Sequence, residues 1–600
     1  SMPSRTTMVG IGAALALAWG AGAEPPHDAG AGLGKLPWAA TGWTERQAAA
    51  HLLDRFTFAP RPGEIDRVLE QGLEVWLEAQ LAGTVEDAEL EPRVRSLDAW
   101  RMTPGEILRT FPPYPVLRRA AMSAGLVDRS MAAPDPGEPP GRGRQGERRR
   151  AILELYQKRG WRSQRELIGQ LTAHKLIQAV HSERQLEAVL TDFWFNHFNV
   201  SLTDNQARPY LLGFERDAIA PRVLGRFHDL LSAVAGHPAM LLYLDNAQST
   251  ANAGVSTALE SRLATSRARG INENFARELL ELHTLGVDGG YTQEDVIAVA
   301  RAFTGWSVAP PGGEMAQRAG GRPRRAGGDR RSGDAVRDGF VFRAGAHDAE
   351  PKIVLGTKLP GGRGIEDGLD VLELVAHHPS TARHLSRKIA ARFVTDDPPQ
   401  QLVDRLAETY VATRGDLREV MRTLAYSPEL WSLEARGQKI KSPFELAVSA
   451  VRVLGGEVIA PARPETWVSP LYGRESGQPG LGGWIGRMGQ PLYAYQAPTG
   501  HPDRAEWWVS TGALLTRMSF ALHLAAGWVE GVKLDLATLD SHREPESLEQ
   551  ALVTYVGLLL PERDLAETVR RLEPMARAGT SDPLAHVVGV ILGSPEFQRR

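Results

Sequence analysis

The chain has 600 residues, 42% of them hydrophobic, enough for one large packed interior or for three or four average domains. Its formal net charge of -3 provides no overall field to gather nucleic acid or acidic membranes. The lack of cysteine excludes disulfides, thiolate metal sites and c-type haem attachment, so stability has to come from core packing.

Residues 1–23 have the order of a secretory signal: a positive Arg5, an apolar run Val9–Trp19 too short to span a bilayer, and the small residues Ala21, Gly22 and Ala23 at the cleavage site. The mature chain is expected to start near Glu24, to be periplasmic or secreted, and to hold no transmembrane segment after cleavage. Residues 24–41, rich in Gly, Pro and Ala, read as a flexible lead-in, after which helical periodicity covers Thr44–Phe56 and Pro62–Leu81. Residues 132–150 lose that periodicity and read as a first flexible insert. Gly141 to Gly146 have the glycine spacing of a dinucleotide loop, but no strand precedes them and prolines flank them.

Helices resume at Arg150–Arg159, Gln164–Val180 and Glu183–Phe198. In the last of these Leu186, Val189, Leu190, Phe193 and Trp194 make an apolar stripe that includes His197. The segment from Ile271 repeats the pattern. Phe275, Leu279, Leu280 and Leu282 form one apolar face with His283 in its middle, while Asn274, Arg277, Glu278 and Glu281 share the other side. A Gly289–Gly290 break follows, and Thr292 with Asp295 has the form of a capping box for a further helix through Phe303. For the inward histidines a neutral imidazole bonded to a backbone carbonyl is the plain reading, and metal or haem ligation between helices is the other.

Residues 309–338 form a second insert in which Arg318, Arg322, Arg324, Arg325, Arg330 and Arg331 lie among glycines. No aromatic residue interleaves them to stack bases, so the segment reads as a solvated loop rather than an RNA surface. Gly339–Leu355 has the alternation of one short hairpin, followed by helices at Pro379–Phe393, Pro399–Ala412, Leu417–Ala425, Ser442–Leu454, Thr511–Ala526, Leu548–Leu559 and from Asp564 into the 580s. His384 and Lys388 share a face of the first of these and read as a solvated basic stripe. Met488–Asp503 is long, aromatic and non-helical, and leads into Glu506, Trp507 and Trp508. Such a segment suits a wall for sugar rings or a staple for the C-terminal helices.

No nucleophile elbow, phosphate loop or zinc-protease helix occurs, and Glu278 and Glu281 lack the Glu-x-x-His relation of di-iron bundles to His283. Glu278 and Glu281 are i, i+3 neighbours, whose mutual repulsion would divide them into an acid and a base; the alternative is an ion-pair row through Glu273, Arg277 and Glu281. His347 and Asp348, read as exposed on a loop, offer an acid–base or metal element, or else a turn held by the aspartate.

The segments NENFARELLELHTLG, GYTQEDVIAVARAFTGW, DFWFNHFNVS, HLLDRFTFAPRPGEI, HDAEPKIVLG, HPSTARHLSRKIAARF and KIKSPFELAVSAVRVLGG together resemble the DUF1800 family, from about His51 to the C-terminus. The resemblance implies an exported bacterial protein and carries architecture and location without an established activity. The expected fold is mainly α, a large multi-helix core over residues 42–590 with one small β-hairpin and the two flexible inserts. The expected function is that of a hydrolase or lyase acting on an envelope or extracellular polymer such as a polysaccharide. Glu278, Glu281, His347 and Asp348 are its candidate catalytic residues, and Asn274, Arg277, Tyr493, His501, Asp503 and Trp507 its candidate substrate contacts. A non-catalytic envelope binding or assembly protein and a metal- or haem-binding helical protein are the alternatives. Sequence specifies neither cofactor nor oligomeric state.

Overall fold

Side chains fix many of the helix starts. Capping boxes open helices at Thr44, Thr103, Thr292 and Ser442, each satisfying backbone donors that the first turn leaves free. The Thr292–Asp295 box is the one expected from sequence. The computed structural model describes residues 34–126, 144–251, 270–309, 335–337, 339–463, 479–540, 545, 547–561, 563–577 and 582–600. The expected signal segment and most of both expected inserts lie outside these residues.

The architecture is mainly α-helical, with helices packed on helices around one continuous apolar core within the compact unit Leu36–Arg600. A small satellite cluster of Leu117, Ala121, Ile152 and Tyr156 stands beside it. Gln164–His181 is buried on nearly every side, polar residues included, and packs against Gln185–His197 and Pro443–Val453. Its polar residues are accommodated individually: Gln170 accepts from the Ala99 amide, and His174 stacks on Trp100 with ring centroids 3.3 Å apart.

Two helices contain π-turns, Phe214–Ile219 and Leu279–Thr284. The second corrects a straight helical-wheel reading of the Ile271 segment, because i→i+5 bonding rotates Glu281 and Leu282 relative to the turn before them. No helix among the described residues is long and apolar enough to cross a membrane.

Three small antiparallel sheets decorate the helices. In the first, β1 (Trp306–Val308), β2 (Ala335–Arg337) and β3 (Phe340–Phe342) have the order β1-β3-β2, with Trp306 opposite Phe342. In the second, β4 (Lys352–Val354) pairs with β5 (Thr357–Leu359); in the third, β6 (Glu457–Val458) pairs with β7 (Val532–Lys533). The hairpin expected over Gly339–Leu355 is therefore divided between two sheets. The true two-residue turn is Leu355–Gly356, both with positive φ (48° and 76°), which matches the twist of the flanking strands.

Other boundaries also shift. The predicted helix Pro62–Leu81 is two helices, Glu64–Gln71 and Leu73–Ala82, broken at Gly72 with φ 91°. The helix after the first insert starts at Arg144, inside the expected linker, because Arg, Gln and Glu favour helix without supplying an apolar stripe. The helix predicted from Asp564 ends at Ala576, and a separate one spans Pro583–Gly593.

Candidate functional site

Asn196 in the last turn of the helix Gln185–His197 and Asn199 just beyond its end organise the aromatic segment 488–503. Asn196 forms a pair of bonds with the backbone of His501, its Nδ2 donating to the carbonyl at 2.8 Å and its Oδ1 accepting from the amide at 2.8 Å. Asn199 Nδ2 donates to the carbonyls of Tyr495 and Ala497 at 2.9 and 2.7 Å. Gly500 makes the close approach possible: its φ is +68°, and a Cβ there would collide with the Asn196 carbonyl.

Tyr493 occupies the left-handed region at φ 59°, unusual for an aromatic residue, and its phenol donates to the Glu215 carboxylate (2.9 and 3.0 Å to its two oxygens). Glu215 comes from the first π-turn. Lys175 lies beside both, its ammonium 2.9 Å from Asp192, 3.5 Å from Glu215 and 5.3 Å from the centre of the Tyr493 ring.

Lys175, Asp192, Asn196, Asn199 and Tyr493 border a cavity of about 390 Å³, within the range of small-ligand sites. Its walls include Asp192, His197, Lys388, Tyr495, His501 and Trp508. One side is an aromatic wall, with ring centroids 4.2 Å apart for Tyr495 and His501 and 5.5 Å for His501 and Trp508. Pro379–Phe393 also lines the cavity and contributes Arg387, Lys388 and Arg392. Arg392 pairs with Glu445, which also receives Arg600 at 2.8 Å and caps its own helix.

Electrostatics separate these groups. Burial opposes the charge on Lys175, but Asp192 and Glu215 outweigh it and raise its pKa; burial raises Glu215, with Lys175 and Tyr493 opposing. Burial opposes the charge on Glu445 too, yet Arg392 and Arg600 hold it well below the carboxylate range. Lys388 behaves differently. Burial lowers it to about 8 against the raising field of Asp503, and no carboxylate among the described residues forms an ion pair with it. Burial also lowers His501 and His384 to about 4 and His283 to about 3, so these imidazoles are neutral at pH 7. The cavity thus combines an ammonium close to its titration point, ion-paired carboxylates and a neutral imidazole, groups suited to holding an anion or moving a proton.

Of the sequence candidates, Tyr493, His501 and Asp503 line this cavity; Trp507 is 59% exposed and the lining residue is its neighbour Trp508. Glu278 and Glu281 are half-buried elsewhere and line none of it. Burial, then Glu281, raises the Glu278 pKa, while Tyr291 donates to Glu281 at 3.3 Å. Arg277 bonds Glu273 at 3.4 Å and Gln293 at 3.0 Å, and Asn274 is exposed.

His347 and Asp348 form another group, with no described bond to Glu278 or Glu281. The exposed loop expected for His347 is corrected: the side chain is buried, its Nδ1 donating to the Thr304 carbonyl at 2.9 Å and its Nε2 lying 3.4 Å from Asp367. Asp348 is held by Arg301 at 2.8 Å, and Lys352 by Asp367 at 2.7 Å. The solvated stripe expected for His384 and Lys388 is corrected as well, since His384 packs on His197 and Lys388 lines the cavity. Among the described residues, no three His, Asp or Glu side chains are arranged to hold a metal ion.

Sequence reasoning did not single out Lys175, Asp192 or Glu215. A lysine in the mainly apolar run LTAHKLIQAV was the available signal, because a lysine there needs a buried partner.

Fold and site together define a mainly helical protein with a charged, aromatic-walled cavity. The chain belongs to the family described as "Protein of unknown function (DUF1800)", which it matches over residues 51–599. No curated protein and no solved structure matches it.

Proposed function

We propose that the protein is an exported hydrolase or lyase that takes a unit of an envelope or extracellular polymer into the cavity behind the 488–503 segment. The observation that carries this reading is the convergence of Lys388, Asp192 and His501 on one ligand-sized space, beside a tyrosine held in a strained backbone conformation. Neutral His501 is fit to accept a proton, Lys388 to neutralise developing charge, and the Tyr495–His501–Trp508 wall to hold a ring. The test is a screen of envelope polysaccharides and peptidoglycan by product mass, repeated with Lys388→Met and His501→Gln. A turnover that both substitutions leave intact defeats the assignment, and tight binding without turnover favours an envelope binding protein.

The raised pKa of Glu278 favours a second reading in which Glu278 and Glu281 are the acid–base pair, with Asn274 and Arg277 beside them on the substrate path. Glu278→Gln and Glu281→Gln separate the two: under this second reading they lower turnover by about a hundredfold or more, and under the first they leave it near wild type.

A further inference from the structure

The geometry points to a sugar unit bearing a single negative charge as the ligand of this cavity, its anion on the Lys388 ammonium and its ring against Tyr495, His501 and Trp508. This rests on the cavity being the functional site and adds the chemical class of what enters it.

The charges lining the cavity decide the sign. Lys175 is matched by Asp192 at 2.9 Å, Arg392 by Glu445, and Arg504 by Asp397 at 2.7 Å. Asp396 and Asp503 are both taken by Lys439, at 2.6 and 3.1 Å. Two lining cations form no ion pair with a carboxylate among the described residues, although Asp503 acts on Lys388 from farther off. Arg387 is exposed and donates to the Gln400 amide at 2.6 Å, and Lys388 is half-buried with no described hydrogen bond. Three imidazoles, of His197, His283 and His384, surround Lys388, and burial keeps all three neutral at pH 7. A half-buried ammonium among neutral rings leaves one positive charge for the ligand to balance.

The same inventory limits the ligand to one charge there. The second charge of a phosphate monoester would find only Arg387, which is exposed and already bonded to Gln400, in a lining that also holds the carboxylates of Asp192 and Asp503. A carboxylate or a sulfate ester carries only one. The wall supplies the rest of the recognition. Tyr495, neutral His501 and Trp508 form an apolar surface with polar tips, suited to the C–H face of a pyranose, whose hydroxyls remain free for the polar rim. A cavity of about 390 Å³ takes a small unit rather than a stretch of polymer.

Calorimetric titration of the intact protein with galacturonate, galactose 6-sulfate and uncharged galactose tests this, using wild type, Lys388→Met, Lys388→Arg and Trp508→Ala. The expected result is binding of an acidic sugar at least about tenfold tighter than galactose, a preference abolished by Lys388→Met and kept by Lys388→Arg. Affinity should decline as the pH rises through about 8, where Lys388 loses its proton. Tighter binding of galacturonate identifies the anion as a carboxylate, and tighter binding of the sulfated sugar as a sulfate. Equal binding of charged and neutral sugars overturns the inference, as does an acid preference that survives Lys388→Met or a failure of all three sugars to bind. Binding that Trp508→Ala leaves untouched places the ligand elsewhere and unseats the cavity reading itself.

Discussion

His197 Nε2 donates to the backbone carbonyl of His283 at 3.1 Å, so the two helices with matching inward histidines meet at those histidines. The acceptor carbonyl belongs to the π-turn Leu279–Thr284, where irregular backbone bonding makes carbonyls available to side chains. The rings lie 6.1 Å apart, and Phe198 packs against both.

Removing either imidazole should therefore disturb this packing. His197→Ala and His283→Ala should each destabilise the fold by about 1 to 3 kcal/mol, one through an unpaired buried carbonyl and both through a cavity. Urea unfolding measures this; a midpoint equal to wild type would show that the site had collapsed without penalty.

Acid should weaken the protein before its carboxylates titrate. Burial lowers His51, His174, His181 and His283 to about 3, and His237, His384 and His501 to about 4, against 6.5 when unfolded. Between those values the unfolded chain binds more protons than the native one, so stability falls as the pH drops from about 6.5 towards 4. The thermal midpoint should decrease over that window, with net proton uptake on unfolding. Lys388 acts at the other end: with a native value of about 8 against 10.5, its protonation penalty is full below 8 and is relieved as the pH rises through that interval.

Glu445→Gln should be the most damaging of the cavity substitutions. The carboxylate is 4% exposed, balances Arg392 and Arg600, and accepts from the Ser442 amide that begins its helix. Leaving two buried guanidiniums without their shared counter-charge costs about 3 to 5 kcal/mol. Chemical denaturation gives the value directly.

Gly500→Ala should separate stability from binding. A methyl group at φ +68° displaces the chain from Asn196, at a cost of about 1 to 3 kcal/mol. The larger effect is expected on ligand affinity, since His501 moves with the backbone. A variant that melts early and still binds normally would show that the wall tolerates the shift.

Local chemistry made much of the fold legible. The Thr292–Asp295 cap, the inward faces carrying His197 and His283, and the aromatic segment with Tyr493 and His501 all declare themselves within a few residues of sequence. Lys388 did not, because a helical wheel shows that His384 and Lys388 share a face but not what covers it; the cover arrives from His197 and from the loop at Asp503. His347 was misplaced for a similar reason. Its partners Thr304 and Asp367 lie 43 and 20 residues away, and only their convergence turns a polar loop residue into a buried one. The Lys175–Asp192–Glu215 group likewise joins three helical segments, with Tyr493 reaching it from 278 residues beyond Glu215.

The grip on the 488–503 segment is largely indifferent to its side chains. Asn196, Asn199, Tyr243 and Leu202 hold it through the backbone of His501, Tyr495, Ala497, Gln496 and Tyr493. Lys439 likewise takes the Asp503 carbonyl, and Asp396 the Ala505 amide. Gly500 excepted, Tyr495, Thr499 and His501 can therefore be exchanged without loosening the attachment. Selection or a designer can rewrite which unit the pocket accepts while the frame that presents it stays fixed.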